Sequence, residues 1–304
     1  MDRRRYDDAY CLSMQIIDKV KYLICAAFLL FSLILSSQTK PSHEMSWWYE
    51  TPATKYWEGL PLGTGRFAAM VGGKIAAEDI VFNDETLWTG GPYNPNNADG
   101  PKILDSVRAF VLAKDYVKAT STAMRLNSTP VSVQHYQPMG ILNIAFDKHN
   151  EKDVSHYKRK LSMDSATTTV TYRLNDIDYK REVFASYPDQ VIIIRLTASK
   201  PKSINLKSWL SSLQPSAQTK VNDGDIIMAG TTPELSRGTY AASVIPAKMQ
   251  WQARLHVMAD GGTVTHLKAE GKTGDQVNIQ AANSVIIMLA GATNWKSWND
   301  VSAD

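Results

Sequence analysis

The stretch TTTVTYRLNDIDYKREVFASYPDQVIIIRLTAS, residues 167–199, decides the fold. In TTTVTYRL (167–174) Val170, Tyr172 and Leu174 alternate with polar residues, so the segment buries one side as a β-strand. In IDYKREVFASY (177–187) Ile177, Tyr179, Val183 and Ala185 do the same. Asn175-Asp176 and Pro188-Asp189 stand between the segments and supply turn geometry. QVIIIRL (190–196) is apolar on both faces and reads as a central strand covered twice.

The same texture continues in SINLKSWL (203–210), DIIMAG (225–230), ARLHVMA (253–259), QVNIQA (276–281) and SVIIMLAG (284–291). Asp223-Gly224 and Asp260-Gly261-Gly262 mark further turns, and SVIIMLA is again apolar on both faces. Toward the N-terminus the pattern changes. Pro101 opens KILDSVRAFVLAKDYVKATSTAMRL, in which Ile103, Leu104, Val107, Phe110 and Val111 recur at helical spacing, with a break near Ala113-Lys114. Two helices set among strands are expected to cap a sheet or cover an interface. The fold class read from these patterns is mainly all-β, a large antiparallel β-sandwich with a short helical insertion.

With 44% hydrophobic and 21% charged residues in 304, the chain excludes collagen-like and disordered compositions. Lys and Arg number 33 against 30 Asp and Glu, and the resulting +3 is spread along the chain. Without a basic run to follow a phosphate backbone, nucleic acid is excluded as a partner. Tyr22 to Leu35 form an uncharged run of 14 residues after Lys19 and Lys21 and before Ser36 and Ser37, the layout of a secretory signal peptide. A stable membrane span needs ~20 apolar residues. Residues 1–37 are therefore expected to be a cleaved leader, with Met14 as a more natural start, and the protein to be exported to a periplasmic, extracellular or cell-surface location. The leader takes Cys11 and Cys25 with it and leaves 28 basic against 26 acidic residues, a charge of +2. No disulfide or thiolate chemistry remains, so stability has to come from a core.

GTGRFA (63–68) fits a loose dinucleotide fingerprint, with Asp84 about twenty residues on. Pro61 before it and Gly72-Gly73 shortly after leave no room for a βαβ unit, so no cofactor is expected. GKT (271–273) has His266 where a P-loop needs glycine. The histidines show no close metal-ligand spacing, and no G-x-S-x-G elbow occurs, so neither a metal site nor a catalytic residue is assigned. Asp84-Glu85 is not promoted to a catalytic carboxylate pair on spacing alone. Asn127-Ser128-Thr129 matches a glycosylation sequon. Two aromatic clusters stand out: Trp47, Trp48, Tyr49, Tyr56 and Trp57, and then Trp88, Tyr93 and Tyr136 around GGPYNPNNADGP (90–101). Such rings suit sugar stacking, but core burial is their commonest use, and the clusters read first as core.

WYETPATKYWEGLPLGTGRFAAMVGGKIAAEDIVFNDETLWTGGP (48–92), YQPMGILNIAF (136–146), YKRKLSMDSATTTVTYRL (157–174) and YKREVFASYPDQVIIIRLTA (179–198) occur in one order and spacing. Together they resemble the N-terminal domain of glycoside hydrolase family 95, the α-L-fucosidase and α-L-galactosidase group. NDETLWTGGP and YQPMG are the most specific segments, and the similarity spans residues 45–298. The resemblance implies a β-sandwich followed by linker helices and a catalytic (α/α)6 barrel that carries the inverting chemistry. The sequence reaches NDVSAD where that linker is expected, so the barrel is absent and no catalytic residue transfers. The resemblance further implies that the NDETLWTGGP loop lies toward the barrel, making Asn83, Glu85, Trp88, Tyr136 and Gln137 candidates for a substrate rim or barrel interface. Asn83 and Glu85 satisfying loop backbone groups, with Trp88 packed beneath, is the competing expectation. The function expected is that of an exported β-sandwich domain of a glycoside hydrolase acting on fucosylated oligosaccharides. It is expected to be a fragment or split product, inactive without a barrel domain or chain encoded downstream. The alternative is a free-standing, non-catalytic carbohydrate- or partner-binding module.

Overall fold

The computed structural model describes residues 45–94, 96–127, 134–235, 244–268 and 274–303. The expected leader and the Ser and Thr of the sequon lie outside the described residues. From Ser46 onward the chain forms one compact unit.

Two antiparallel sheets face each other. Before the helices run β1 (Ser46–Tyr49), β2 (Leu60–Gly63), β3 (Phe67–Val71) and β4 (Ala77–Asp84); α1 (Gly100–Leu112) and α2 (Tyr116–Ala123) interrupt them. There follow β5 (Gly140–Phe146), β6 (Ser155–Ser162), β7 (Thr167–Leu174), β8 (Ile177–Ser186), β9 (Val191–Ala198) and β10 (Ile204–Ser211). The last six are β11 (Gln218–Asn222), β12 (Asp225–Thr231), β13 (Gln250–Asp260), β14 (Thr263–Leu267), β15 (Gln276–Ala282) and β16 (Ser284–Thr293). The larger sheet has nine strands in the order β1-β6-β7-β8-β9-β16-β13-β12-β11, the smaller seven in the order β14-β15-β10-β5-β4-β3-β2.

The turns follow the sequence chemistry. Asn175 and Asp176 both take positive φ, 50° and 58°, as the tight β7–β8 hairpin requires. Between β13 and β14 the chain changes sheet at Gly261-Gly262, where a Cβ on Gly262 would come within 2.2 Å of the Gln280 carbonyl, so only glycine fits. The core lies between the sheets and includes Phe67, Phe82, Leu142, Val183, Ile194 and Ile287.

One expectation is corrected here, and for the helices only the sheet-capping alternative is set aside. β9 and β16 are neighbours in the middle of the larger sheet, but each is covered on one face only: Ile192, Ile194, Ile287 and Leu289 are buried, whereas Ile193, Ile286 and Met288 on the outer face remain half-buried. The double run of apolar residues therefore reports a central strand whose outer side is shielded by neighbouring side chains on the same face. The helices form, split at Ala113–Asp115 as the sequence indicates, yet they pack chiefly on each other and bury only Ile103 and Ala119. Leu112 and Val117 stay exposed.

Periodicity also places charge inside. The inward face of β4 reads Glu78, Ile80, Phe82, Asp84, so a carboxylate closes each end of an apolar pair. Glu78 Oε1 accepts from Gly72 N at 2.9 Å and Gly73 N at 3.1 Å, and its other oxygen pairs with Arg181 of β8 across the core. Arg181 also donates to the Lys74 carbonyl and lies over the Phe146 ring. The same end of the sandwich holds His149, stacked on Phe146 with centroids 5.0 Å apart and hydrogen-bonded to Tyr172 at 3.0 Å.

Candidate functional site

At the other end of β4 the chain turns into the segment that carries the candidate residues. Asp84, fully buried, accepts from Arg66 Nη1 at 2.9 Å through one oxygen. Its other oxygen accepts from Thr86 N at 3.0 Å and Thr86 Oγ1 at 2.6 Å, an Asx-type turn that reverses the chain. Leu87, buried, pins the loop to the core. The neighbouring residue points the other way, so Glu85 is exposed.

The YQP segment before β5 runs alongside this loop. Trp88 and Tyr136 pair as an isolated antiparallel bridge, with ring centroids 5.2 Å apart at 54°. Each ring is anchored by its polar tip: Trp88 Nε1 donates to the Glu85 carbonyl at 2.9 Å and the Tyr136 hydroxyl donates to the Asp84 carbonyl at 3.1 Å. Asn83 stitches the two segments, its Nδ2 donating to the Gln137 carbonyl at 2.9 Å and its Oδ1 accepting from Met139 N at 3.0 Å. Gln137 N donates to the Leu87 carbonyl, and its side-chain oxygen accepts from Gln214 at 3.1 Å. Gly90, at φ 71°, threads against Ile245, where a Cβ would meet the isoleucine side chain at 2.7 Å.

All five candidates are thus brought together, in different settings. Asn83 and Gln137 spend their carboxamides on holding the loops. Trp88 and Tyr136 keep 39% and 48% of their surface exposed, so packing beneath the loop does not describe Trp88. Burial, followed by the nearby Asp84 carboxylate, raises the Tyr136 phenol above its usual range, so it remains a hydrogen-bond donor. Residues not singled out from sequence complete the site, Thr86 and Gln214 buried and Arg66 half-buried, while Tyr56 of the first aromatic cluster lies beside it. Arg66 lies within GTGRFA, whose glycines serve a β2–β3 turn, with Gly65 at φ 93°.

Next to the rings a groove of about 740 Å³ crosses the outer face of β2, β3 and β4, lined by Tyr56, Leu62, Met70, Val81, Asn83 and Tyr136 among others. The first aromatic cluster is likewise on the surface, correcting its reading as core: Trp47, Trp48, Tyr49, Tyr56 and Trp57 are all exposed. Cations cover three of these rings, Lys158 over Trp48 at 4.9 Å, Arg159 over Tyr49 at 4.3 Å and Lys55 over Trp57 at 5.4 Å. β1 is the edge strand of the larger sheet and has no buried position, so its rings stay at the border of the sandwich. Among the described residues no group of three His, Cys, Asp or Glu could hold a metal, and no helix is long and apolar enough to cross a membrane. Chemically, the rim offers ring faces and hydrogen-bonding edges for a polyhydroxylated ligand or a packed partner.

Residues 47–298 match the family model described as glycosyl hydrolase family 65, N-terminal domain. The chain is 32% identical over 256 residues to α-L-fucosidase 2 of Arabidopsis thaliana, covering 80% of this chain and 30% of that protein. It is 25% identical over 246 residues to the protein named probable alpha-fucosidase A of Aspergillus niger, covering 79% of this chain and 29% of the relative. The homonymous protein of Aspergillus oryzae is 29% identical over 179 residues, or 55% of this chain and 24% of that one. The chain spans less than a third of the length of these relatives. Sandwich, rim loops and these matches agree, and the chain belongs to the glycosyl hydrolase family 65 N-terminal domain family, as an N-terminal domain of the family 95, α-L-fucosidase-like kind.

Proposed function

We propose that this β-sandwich serves an α-L-fucosidase-type hydrolase acting on fucosylated glycans, contributing the Trp88–Tyr136 rim to a catalytic barrel and having no hydrolytic activity without it. The observation that carries this reading is the fate of the two adjacent acids on the rim. Inverting hydrolysis needs two carboxyl groups facing one sugar about 6.5–9.5 Å apart. Asp84 is buried under Arg66 and Thr86, which leaves Glu85 as the one rim carboxylate facing outward from this loop. The relatives named as fucosidases share this region as only about 30% of their length, which fits a division of labour between modules. Export through the Tyr22–Leu35 segment belongs to the same proposal.

The test assays the purified chain on a fucosylated oligosaccharide, alone and mixed with the remaining segment of the Arabidopsis relative. No turnover alone and turnover in the mixture, reduced by Trp88→Ala, is the expected result; turnover by the chain alone overturns the proposal. Fractionation of expressing cells tests export.

A further inference from the structure

A second large concavity, of about 780 Å³, lies where β11, β12, β13 and β16 run side by side in the larger sheet. It shares no lining residue with the groove beside Tyr136. Register puts Gln218 opposite Ala229, Ala229 opposite Gln252, and Gln252 opposite Ala292. Two carboxamides thus alternate with two methyl groups across four strands, and the short residues between long ones open a trough. Two residues along β13, Gln250 lies opposite Thr231.

The polar groups divide into two sets. Asn294 is fully engaged, its Oδ1 accepting from Gln250 N at 2.9 Å and its Nδ2 donating to the Lys248 carbonyl at 3.0 Å. Ser216 Oγ is tied to both the carbonyl and the amide of Thr231. By contrast, the side chains of Gln218, Gln250, Gln252 and Lys220 have no hydrogen-bond partner among the described residues. Trp251 sits between Gln250 and Gln252 on β13 and turns its ring inward, so it lies beneath the trough on the core side; it is 3% exposed, and a Cβ on Gly230 would come within 2.9 Å of its ring. Its buried Nε1 has no acceptor among the described residues.

Three unengaged carboxamides, each offering a donor and an acceptor, match the paired hydroxyls of a sugar ring. The described lining residues include no carboxylate to bind a cation and only one ammonium, Lys220, to bind an anion. The volume lies within the ~300–1,000 Å³ of small-molecule sites. We propose that this trough is a binding site for a neutral oligosaccharide, separate from the Trp88–Tyr136 rim and independent of the function proposed above.

The test is a titration of the purified chain with a fucosylated lactose and with an unfucosylated xylan oligosaccharide, read by the indole N–H resonance of Trp251, assigned with Trp251→Phe. Saturable shifts of that resonance with either sugar, weakened about tenfold or more in Gln218→Ala/Gln252→Ala and unchanged in Trp88→Ala, are expected. Ala229→Tyr, which fills the trough, abolishes the shift while the unfolding midpoint stays within a few degrees of the parent. No shift with either sugar at about 10 mM overturns the site. Binding that disappears in Trp88→Ala but survives in the glutamine variant overturns it too, placing the ligand on the rim.

Discussion

The two ends of β4 hold one carboxylate–guanidinium pair each, and they are built for different tasks. At Glu78 both partners are out of water, with side-chain exposures of 0% and 1% for Glu78 and Arg181, and the pair crosses from one sheet to the other. At Asp84 the carboxylate is equally buried, but its partner Arg66 keeps 35% of its side chain exposed and both belong to neighbouring strand ends and turns of the smaller sheet. The first pair closes an end of the sandwich. The second fixes a loop whose outer side presents Trp88, Tyr136 and Glu85. Enclosure and presentation are achieved with the same chemical group, and solvent access to the cation separates them.

The sharpest way to break this comparison is Arg181→Met. It leaves the Glu78 carboxylate buried with only backbone amides, and unfolding in urea is expected to show a loss of about 3–5 kcal/mol. The double variant Glu78→Gln/Arg181→Met should recover most of that loss; if the single variant loses under 1 kcal/mol, the pair is not what closes this end. At the other end Asp84→Asn keeps an acceptor for Thr86 but removes the charge facing Arg66. A smaller loss of about 1–2 kcal/mol is expected, together with weakening of the Trp88–Tyr136 ring contact in NMR spectra.

Acid sharpens the contrast further. Burial, and after it the nearby Arg181 charge, lower the His149 pKa from 6.5 to about 4. Between those values the unfolded chain binds the extra proton and the folded chain does not, so stability rises with pH through this window. His149 thus contributes fully above pH 6.5 and loses its contribution as pH falls toward 4; for a partly buried ring still screened by solvent the effect is about 1–2 kcal/mol. His149→Phe should flatten that part of the stability–pH curve, and an unchanged slope would remove His149 from the account. The smallest effect on stability is expected from Trp88→Ala, below about 1 kcal/mol by thermal unfolding because the ring is substantially exposed. A larger loss would make the rim a structural element like the Glu78 end.

How far the sequence could be read follows from where period and burial coincide. The alternation in 167–174 and 177–187, with Asn175-Asp176 between, defines the β7–β8 hairpin, because each strand has one wet and one dry face. The same alternation passes through Arg181, which occupies an inward position between Tyr179 and Val183. An arginine there reads as a polar interruption until Glu78, over a hundred residues away, is seen opposite it. AEDIVFND (77–84) likewise carries the period that turns Asp84 inward and Glu85 outward, a distinction that adjacency in sequence hides. The exposure of Trp47 and Trp48 was not legible, since it depends on β1 being the edge strand of the larger sheet, and no local pattern records that.

One feature of the larger sheet sets the order in which the molecule can be assembled. Its last strand in sequence, β16, is not added at an edge but lies between β9 and β13, pairing with β9 through Val285–Leu196 and with β13 along ten residues. Until β16 arrives, β1-β6-β7-β8-β9 and β13-β12-β11 are separate half-sheets with no hydrogen bonds joining them. A chain emerging N-terminus first therefore leaves the facing edges of β9 and β13 unpaired until about residue 293 is available. Closure then rests on contacts between distant segments, which places folding among the slow, topology-limited cases and makes it a late, concerted event.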